Sequence, residues 1–277
     1  MGTLYVVATP IGNLEDITLR ALRVLREVAL IAAEDTRETR KLLARYDVAT
    51  PVTSYFEHNK LTKLEYLLDF LRTNDVALVS EAGMPGISDP GYELIRAALA
   101  ADLPVVPIPG PSAVVTALAI SGLSTDQFVY LGFLPRRPRE RRARLADVAG
   151  ERRTLVAFES PHRLLESLAD VRDLLGERRI AVASELTKLY ERVWRGTASE
   201  VAHQLALAPP RGEYTLVIEG ASALPAASEA EVREQLERLT AGGVAPKEAV
   251  ARVALATGRS RREVYRLLLA IRKCDKI

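Results

Sequence analysis

Four loops rich in proline, glycine and small polar residues, each following a short apolar run, hold the residue types that could do chemistry. They are Ala8-Thr9-Pro10-Ile11-Gly12-Asn13, the run 80–91 (Ser-Glu-Ala-Gly-Met-Pro-Gly-Ile-Ser-Asp-Pro-Gly), Pro109-Gly110-Pro111-Ser112-Ala113 and Phe158-Glu159-Ser160-Pro161-His162-Arg163. Ligands of open α/β sheets sit beyond the carboxyl ends of strands, where loops offer backbone groups and small residues allow close approach. The pattern is that of an enzyme built on strand-end loops. Among the polar side chains there (Asp35, Glu81, Asp89, Glu159, His162 and Lys188), Glu159, Glu81 and Lys188 are the candidate catalytic groups, because their loops flank the expected cleft. A carboxylate there can take a proton and a cation can stabilise a developing oxyanion. Asp35 and Asp89 also read as helix caps, and His162 as a hydrogen-bonding residue at a helix opening.

The elements that must position these groups alternate. Apolar runs at 4–8, 28–33, 52–55, 76–80 and 105–108 read as strands, and helical spacing of leucines and valines between them gives a βαβ series and a mostly parallel sheet. A helix over 112–120 closes this first domain, 1–122. Strands at 128–134, 154–158, 180–184 and 214–219, with helices at 163–175 and 198–207, make a second α/β domain over 123–222. After a linker, three short amphipathic helices near 229–239, 245–257 and 261–271 form a helix-turn-helix-like unit within 228–277, with Pro246 in a first turn and Ser260 as a cap. The fold expected is α/β with two sheets, the second mixed, plus this helical tail.

Composition narrows the class. A chain of 277 residues, 48% apolar and 27% charged, is ordinary globular protein. A single cysteine, Cys274, excludes an intrachain disulfide and suits a reducing cytoplasm, and three scattered histidines give no zinc spacing, so no metal is expected. The uncharged stretch 103–125 is broken by Pro104, Pro107, Pro109 and Pro111, which reads as buried strand, turn and helix rather than a membrane span.

Net charge of +2 conceals clustering. Arg136, Arg137, Arg139, Arg141, Arg142 and Arg144 crowd one segment, and Arg37, Arg40, Lys41, His58 and Asn59 lie near Tyr55 and Phe56. Either these are solvated helix faces or they contact RNA, with arginines on phosphates and an aromatic ring on an unpaired base, one of the two aromatics being a core residue. The basic end of the tail, with Arg259, Arg261, Arg262, Arg266, Arg272 and Lys273, is open to the same two readings.

No G-x-G-x-x-G and no Walker lysine follows any strand, which disfavours dinucleotide and NTP enzymes. Instead the first loop, Ala33-Glu34-Asp35-Thr36-Arg37, the run 80–91, Pro109-Gly110-Pro111-Ser112-Ala113, Gly132-Phe133-Leu134-Pro135, Phe158-Glu159-Ser160-Pro161-His162-Arg163, Glu185-Leu186-Thr187-Lys188 and Arg211-Gly212-Glu213-Tyr214 occur in one order. Together they resemble the bacterial branch of the tetrapyrrole-methylase superfamily that 2′-O-methylates a cytidine of small-subunit ribosomal RNA. Pro10-Ile11-Gly12-Asn13 stands where pigment-making members carry Gly-Pro-Gly-Asp, and Glu81 stands where the RNA branch more often has Asp.

The resemblance implies a cytoplasmic homodimer, without membrane contact, that binds S-adenosylmethionine between its domains and acts on small-subunit ribosomal RNA or the 30S subunit. The cofactor residues implied are Pro10, Gly83, Met84, Pro85, Gly86, Ile87, Ser88, Ser112, Ala113, Phe158, Thr187, Gly212, Glu213 and Thr215. Methyl transfer needs collinear donor and acceptor and exclusion of water, which a rigid loop at 83–88 and free amides at a helix start near Ser112 would serve. Two alternatives stay open: a methylase of a tetrapyrrole or other small molecule, and a noncatalytic RNA-binding assembly factor.

Overall fold

The computed structural model describes residues 1–56, 60–89, 91–207, 212–222, 228–242, 244–257, 259 and 261–274, with side chains left aside at 60–62, 255 and 272–274. Two compact units divide the chain, Met1–Gly220 and Ala221–Ile277. Among the described residues no helix is long and apolar enough to cross a membrane.

The larger unit opens with the expected alternation: β1 (Leu4–Val7), α1 (Leu19–Glu27), β2 (Leu30–Ala33), α2 (Thr36–Arg45), β3 (Val52–Ser54), α3 (Lys60–Leu71), β4 (Val76–Val79), α4 (Gly91–Ala100), β5 (Val105–Ile108) and α5 (Ala113–Ile120). Every pairing is parallel and the order is β3-β2-β4-β1-β5. Strands buried on both faces read as continuous Val, Ile, Leu and Ala runs because helices cover each side. Val7, Ile31 and Val79 meet Leu22, Leu25 and Leu42 of α1 and α2 on one face, while Leu4, Leu30 and Leu78 meet Leu67, Leu71 and Leu94 of α3 and α4 on the other. Caps set the helix starts: Thr18 accepts from the Ala21 amide, and Asp35 from those of Arg37 and Glu38.

The second half carries β6 (Phe128–Phe133), α6 (Pro138–Asp147), β7 (Thr154–Glu159), α7 (Leu164–Leu175), β8 (Arg179–Ser184), β9 (Arg192–Thr197), α8 (Ala198–Ala206) and β10 (Tyr214–Ile218). The sheet is mixed, in the order β6-β7-β10-β8-β9, with only β6 and β7 paired in parallel. One face, with Leu155, Val182 and Leu216, packs on Leu145, Leu168 and Val201 of α6, α7 and α8. The other, with Val156, Ala181 and Val217, packs on Val114, Ala117 and Leu118 of α5 and on Ile11. The last helix of the first half is thus the surface on which the second half is seated.

Two local features depart from the pattern of apolar runs. Residues 192–197 form an edge strand although Arg192, Arg195 and Gly196 interrupt the apolar sequence; charges are tolerated there because an edge leaves one side in water. The arginine segment becomes α6 with Pro138 in its first turn, and Arg141 turns inward. Its Nε donates to Asp170 Oδ2 at 2.7 Å, and its side chain is 3% exposed. One of the expected surface arginines therefore pins α6 to α7.

In the smaller unit α9 (Glu229–Ala241), α10 (Pro246–Thr257) and α11 (Arg261–Cys274) each pack on the other two around Val232, Leu236, Val250, Val253, Val264, Leu267 and Leu268. Ser228 and Glu231 form a reciprocal capping box at the start of α9. Pro246 stands in the first turn of α10, and Ser260 lies outside the described residues.

Candidate active site

In a parallel sheet all carboxyl ends lie on one edge, so the loops after β1, β2, β4 and β5 must emerge together. In the second sheet the carboxyl ends of β6, β7 and β8 share an edge with the amino end of antiparallel β10, where Tyr214 pairs with both Glu159 and Ser184. Because α5 and Ile11 bind the two halves together, these edges meet around a cavity of about 320 Å³. Ile11, Glu34, residues 80–84 and 87–89, and 112–114 line it from the first half. Phe133, residues 158–161, Leu186 and 212–215 line it from the second. That volume lies within the usual range for small-molecule sites.

The loop after β4 is held rigidly. Gly83 and Thr9 exchange backbone hydrogen bonds of 2.9 and 3.0 Å, and Asp89 Oδ1 accepts from the amides of Gly86 (2.6 Å) and Gly91 (2.9 Å). Ser88 adopts a φ of 67°, strained for a residue with a Cβ, and its hydroxyl is 2.6 Å from that of Tyr130 on β6. This bond ties the loop of one half to the sheet of the other.

On the opposite wall Glu159 is fully buried and its carboxylate is engaged on every side. It accepts from the Ser160 amide (2.6 Å) and the Ser167 hydroxyl (2.5 Å), and pairs with Arg163 at 2.6 Å. Phe158 beside it stacks edge-on to Tyr130, with 5.4 Å between ring centroids, and lies across from Thr215 on β10. Gly212, at φ 77°, approaches Glu185 so closely that a Cβ would lie 2.0 Å from its carboxylate. Glu185 in turn accepts from the Glu213 amide and from Lys188 Nζ at 3.0 Å.

The ionisable groups facing the cleft are acidic. Glu81 is raised above the ordinary carboxylate range by desolvation and then by the charge of Glu213. Glu34 is raised by burial, and its Oε2 accepts the Glu81 amide at 3.1 Å. Lys188 pairs with Glu185 and Glu213; partial burial lowers its pKa, but these carboxylates outweigh that and hold it above the ordinary value, so it is a cation at neutral pH. A second cavity of about 260 Å³ shares Ile11, residues 80–82 and Glu213 with the first, and is otherwise lined by Thr9, Pro10, Gly12, Leu14, Glu38, Thr39, Leu42 and Lys188. Glu81 and Glu213 stand in the wall between the two spaces.

The expected site residues distribute as follows. Gly83, Met84, Ile87, Ser88, Ser112, Ala113, Phe158, Gly212, Glu213 and Thr215 line the larger cavity together with Glu81 and Glu159, whereas Pro10 and Lys188 line the second. Pro85, Gly86 and Thr187 line neither; Gly86, at φ 86°, gives the loop its turn. Glu34 is the residue that sequence reasoning passed over, whereas its neighbour Asp35 caps α2, one of the two readings the sequence offered for it. Its signal was its place, immediately after buried β2.

Of the basic residues, Arg37 and Lys41 are exposed on α2 in ion pairs with Asp35 and Glu38, and Arg40 is exposed beside them. Arg136 and Arg139 are exposed, Arg137 pairs with Glu140, and Arg142 is held by Asp170 and Asp173. His58 and Asn59 lie outside the described residues. Tyr55 is a core residue, 1% exposed.

Comparison with known proteins places this geometry. The tetrapyrrole (corrin/porphyrin) methylase model matches residues 3–202, and the model of the RsmI C-terminal HTH domain matches 226–272. Ribosomal RNA small subunit methyltransferase I of Halalkalibacterium halodurans is 46% identical over 96% of this chain and 94% of its own length. The protein of that name from Synechocystis sp. is 46% identical over 98% and 99%. Among solved structures, diphthine synthase shares the fold, with a TM-score of 0.61 at 13% identity over 79% of this chain and 90% of that one. The chain belongs to the ribosomal RNA small subunit methyltransferase I family, within the tetrapyrrole methylases.

Proposed function

We propose that the larger cavity binds S-adenosylmethionine and that the chain methylates the ribose 2′-oxygen of a cytidine in small-subunit ribosomal RNA. The observation that carries this reading is the pair of adjoining cavities with Glu81 in their common wall, in a chain whose relatives are named for that RNA. The residues present suit the cofactor. Phe158, Phe133, Ile11 and Leu186 offer apolar surface to an adenosyl group, Glu34 and Glu213 offer charge to a sulfonium and an ammonium, and the amides opening α5 offer donors to a carboxylate. Bound there, S-adenosylmethionine supplies an electrophilic methyl group.

This chain's own residues do the rest. The loop over 80–89, pinned by Thr9, Asp89 and Tyr130, fixes geometry and excludes water, so that effective concentration and alignment supply most of the rate. Glu81, with its raised pKa, takes the proton of the attacking hydroxyl, and the Lys188 ammonium stabilises negative charge on that oxygen. Glu159 acts as a positioning residue: its buried contacts to Ser160, Arg163 and Ser167 hold Phe158 in the wall. Arg37, Arg40, Lys41, Arg136, Arg137 and Arg139 contact RNA phosphates. The protein works in the cytoplasm, where its acceptor is, and as a homodimer, for which Leu189 and Tyr190, 89% and 81% exposed, offer apolar surface.

Calorimetry with S-adenosylmethionine, followed by transfer of a tritiated methyl group to undermethylated small subunits or deproteinised RNA, tests the reading. Binding and label recovered as 2′-O-methylcytidine are expected. Binding with transfer only to a small pigment would replace the acceptor, and no cofactor binding would leave the assembly-factor alternative.

A further inference from the structure

We propose that the outward face of α11 is an RNA-binding surface, with Arg262 and Arg266 on phosphates and the Tyr265 ring against an unpaired base. The proposal rests on the reading that ribosomal RNA is the acceptor.

The helix has two faces of opposite character. Val264, Leu267 and Leu268 point into the core of the small unit and are at most 5% exposed. Arg262, Tyr265, Arg266 and Leu269, at the i, i+3, i+4, i+7 spacing of one helical stripe, lie on the other side and are all exposed. Tyr265, 52% exposed, lies between the two arginines, and Leu269, 45% exposed, follows Arg266 on the same stripe. The stripe therefore combines cations with apolar and aromatic surface, the pairing that matches a polyanion carrying flat bases.

Charge within the unit points the same way. The sequence of α11 has Arg261, Arg262, Arg266, Arg272 and Lys273 against Glu263, whereas that of α9 has Glu229, Glu231, Glu234 and Glu237 against Arg233 and Arg238. The unit is therefore polarised, and a phosphate backbone is drawn to α11 and repelled from α9. Packing of α11 against both other helices fixes the stripe as a rigid ridge.

The test uses the full-length protein, deproteinised small-subunit RNA and fluorescence anisotropy across a salt series. R262S/R266S should weaken binding about tenfold at low salt and flatten the dependence of log affinity on log salt by about 1.4–1.8, the loss of two phosphate contacts. Y265A should weaken binding about fivefold or more with the slope unchanged, and R262K/R266K should keep the wild-type slope. S-adenosylmethionine affinity and melting temperature should stay constant in all three. Wild-type affinity and slope in R262S/R266S would overturn the proposal. So would wild-type binding to bare RNA with loss confined to intact subunits, which would assign the face to a ribosomal protein. Failure of the unaltered protein to bind RNA at all would instead bring down the functional reading together with this one.

Discussion

Inside the cleft the acidic side chains of the wall are Glu34, Glu81, Asp89, Glu159 and Glu213, whereas the segments leaving the same strand ends, α2 and the approach to α6, expose Arg37, Arg40, Lys41, Arg136 and Arg139. An acidic interior beside basic flanks is costly in self-energy at both places, since like charges crowd in each. It is what two ligands of opposite charge demand: a cationic methyl donor held within and a polyanion held outside. At Glu81 desolvation and then the charge of Glu213 push the pKa up, while Arg37, on the flank, pulls it down.

The interior is the place to break first. E81Q should lower kcat about 100-fold or more while leaving S-adenosylmethionine affinity within a few-fold, measured by single-turnover methyl transfer. Because the pKa of Glu81 is raised, the wild-type rate should fall as pH drops through a value above the ordinary carboxylate range, and that acid limb should vanish in the variant. Next in size, D170A should cost about 3 kcal/mol in urea unfolding, since it leaves the buried Arg141 guanidinium only the exposed Glu166 carboxylate at 3.4 Å. RNA affinity should not fall, which would separate Arg141 and Arg142, members of the fold, from the arginines of the flank. Replacing Arg136 and Arg139 by serine should weaken RNA binding about tenfold and flatten its salt dependence, with cofactor affinity unchanged.

The smallest effect is expected at Glu34. Its folded-state pKa lies above the unfolded value, so its ionisation withdraws stability as pH rises through the folded pKa. E34Q should raise the melting temperature by about 1–2 °C at pH 8. The difference should close as pH falls below about 4, where the carboxyl is protonated in both states.

Most of the architecture was legible because buried parallel strands write themselves as short apolar runs, and Gly/Pro loops punctuate their ends. The edge strand β9 was not, since its arginines face water and break the run. At the site, twelve residues offered by the strand-end loops and by the family resemblance line the larger cavity, because strand-end loops of a parallel sheet have nowhere else to emerge. Side-chain direction was not legible. Nothing in the order Glu34-Asp35 says which carboxylate enters the cleft and which caps a helix. Likewise, Glu159 reads as an available acid until Arg163 and Ser167, four and eight residues on, are folded back onto it. The arginine segment was ambiguous for a similar reason, since its inward member is fixed by Asp170 on another helix.

The most direct test of the segregated cleft is a paired salt titration on one preparation, with S-adenosylmethionine affinity by calorimetry and RNA affinity by anisotropy. The account predicts RNA affinity falling steeply and linearly on logarithmic axes while cofactor affinity stays nearly flat, because one ligand lies on exposed arginines and the other within the cleft. Parallel slopes for the two ligands would contradict it.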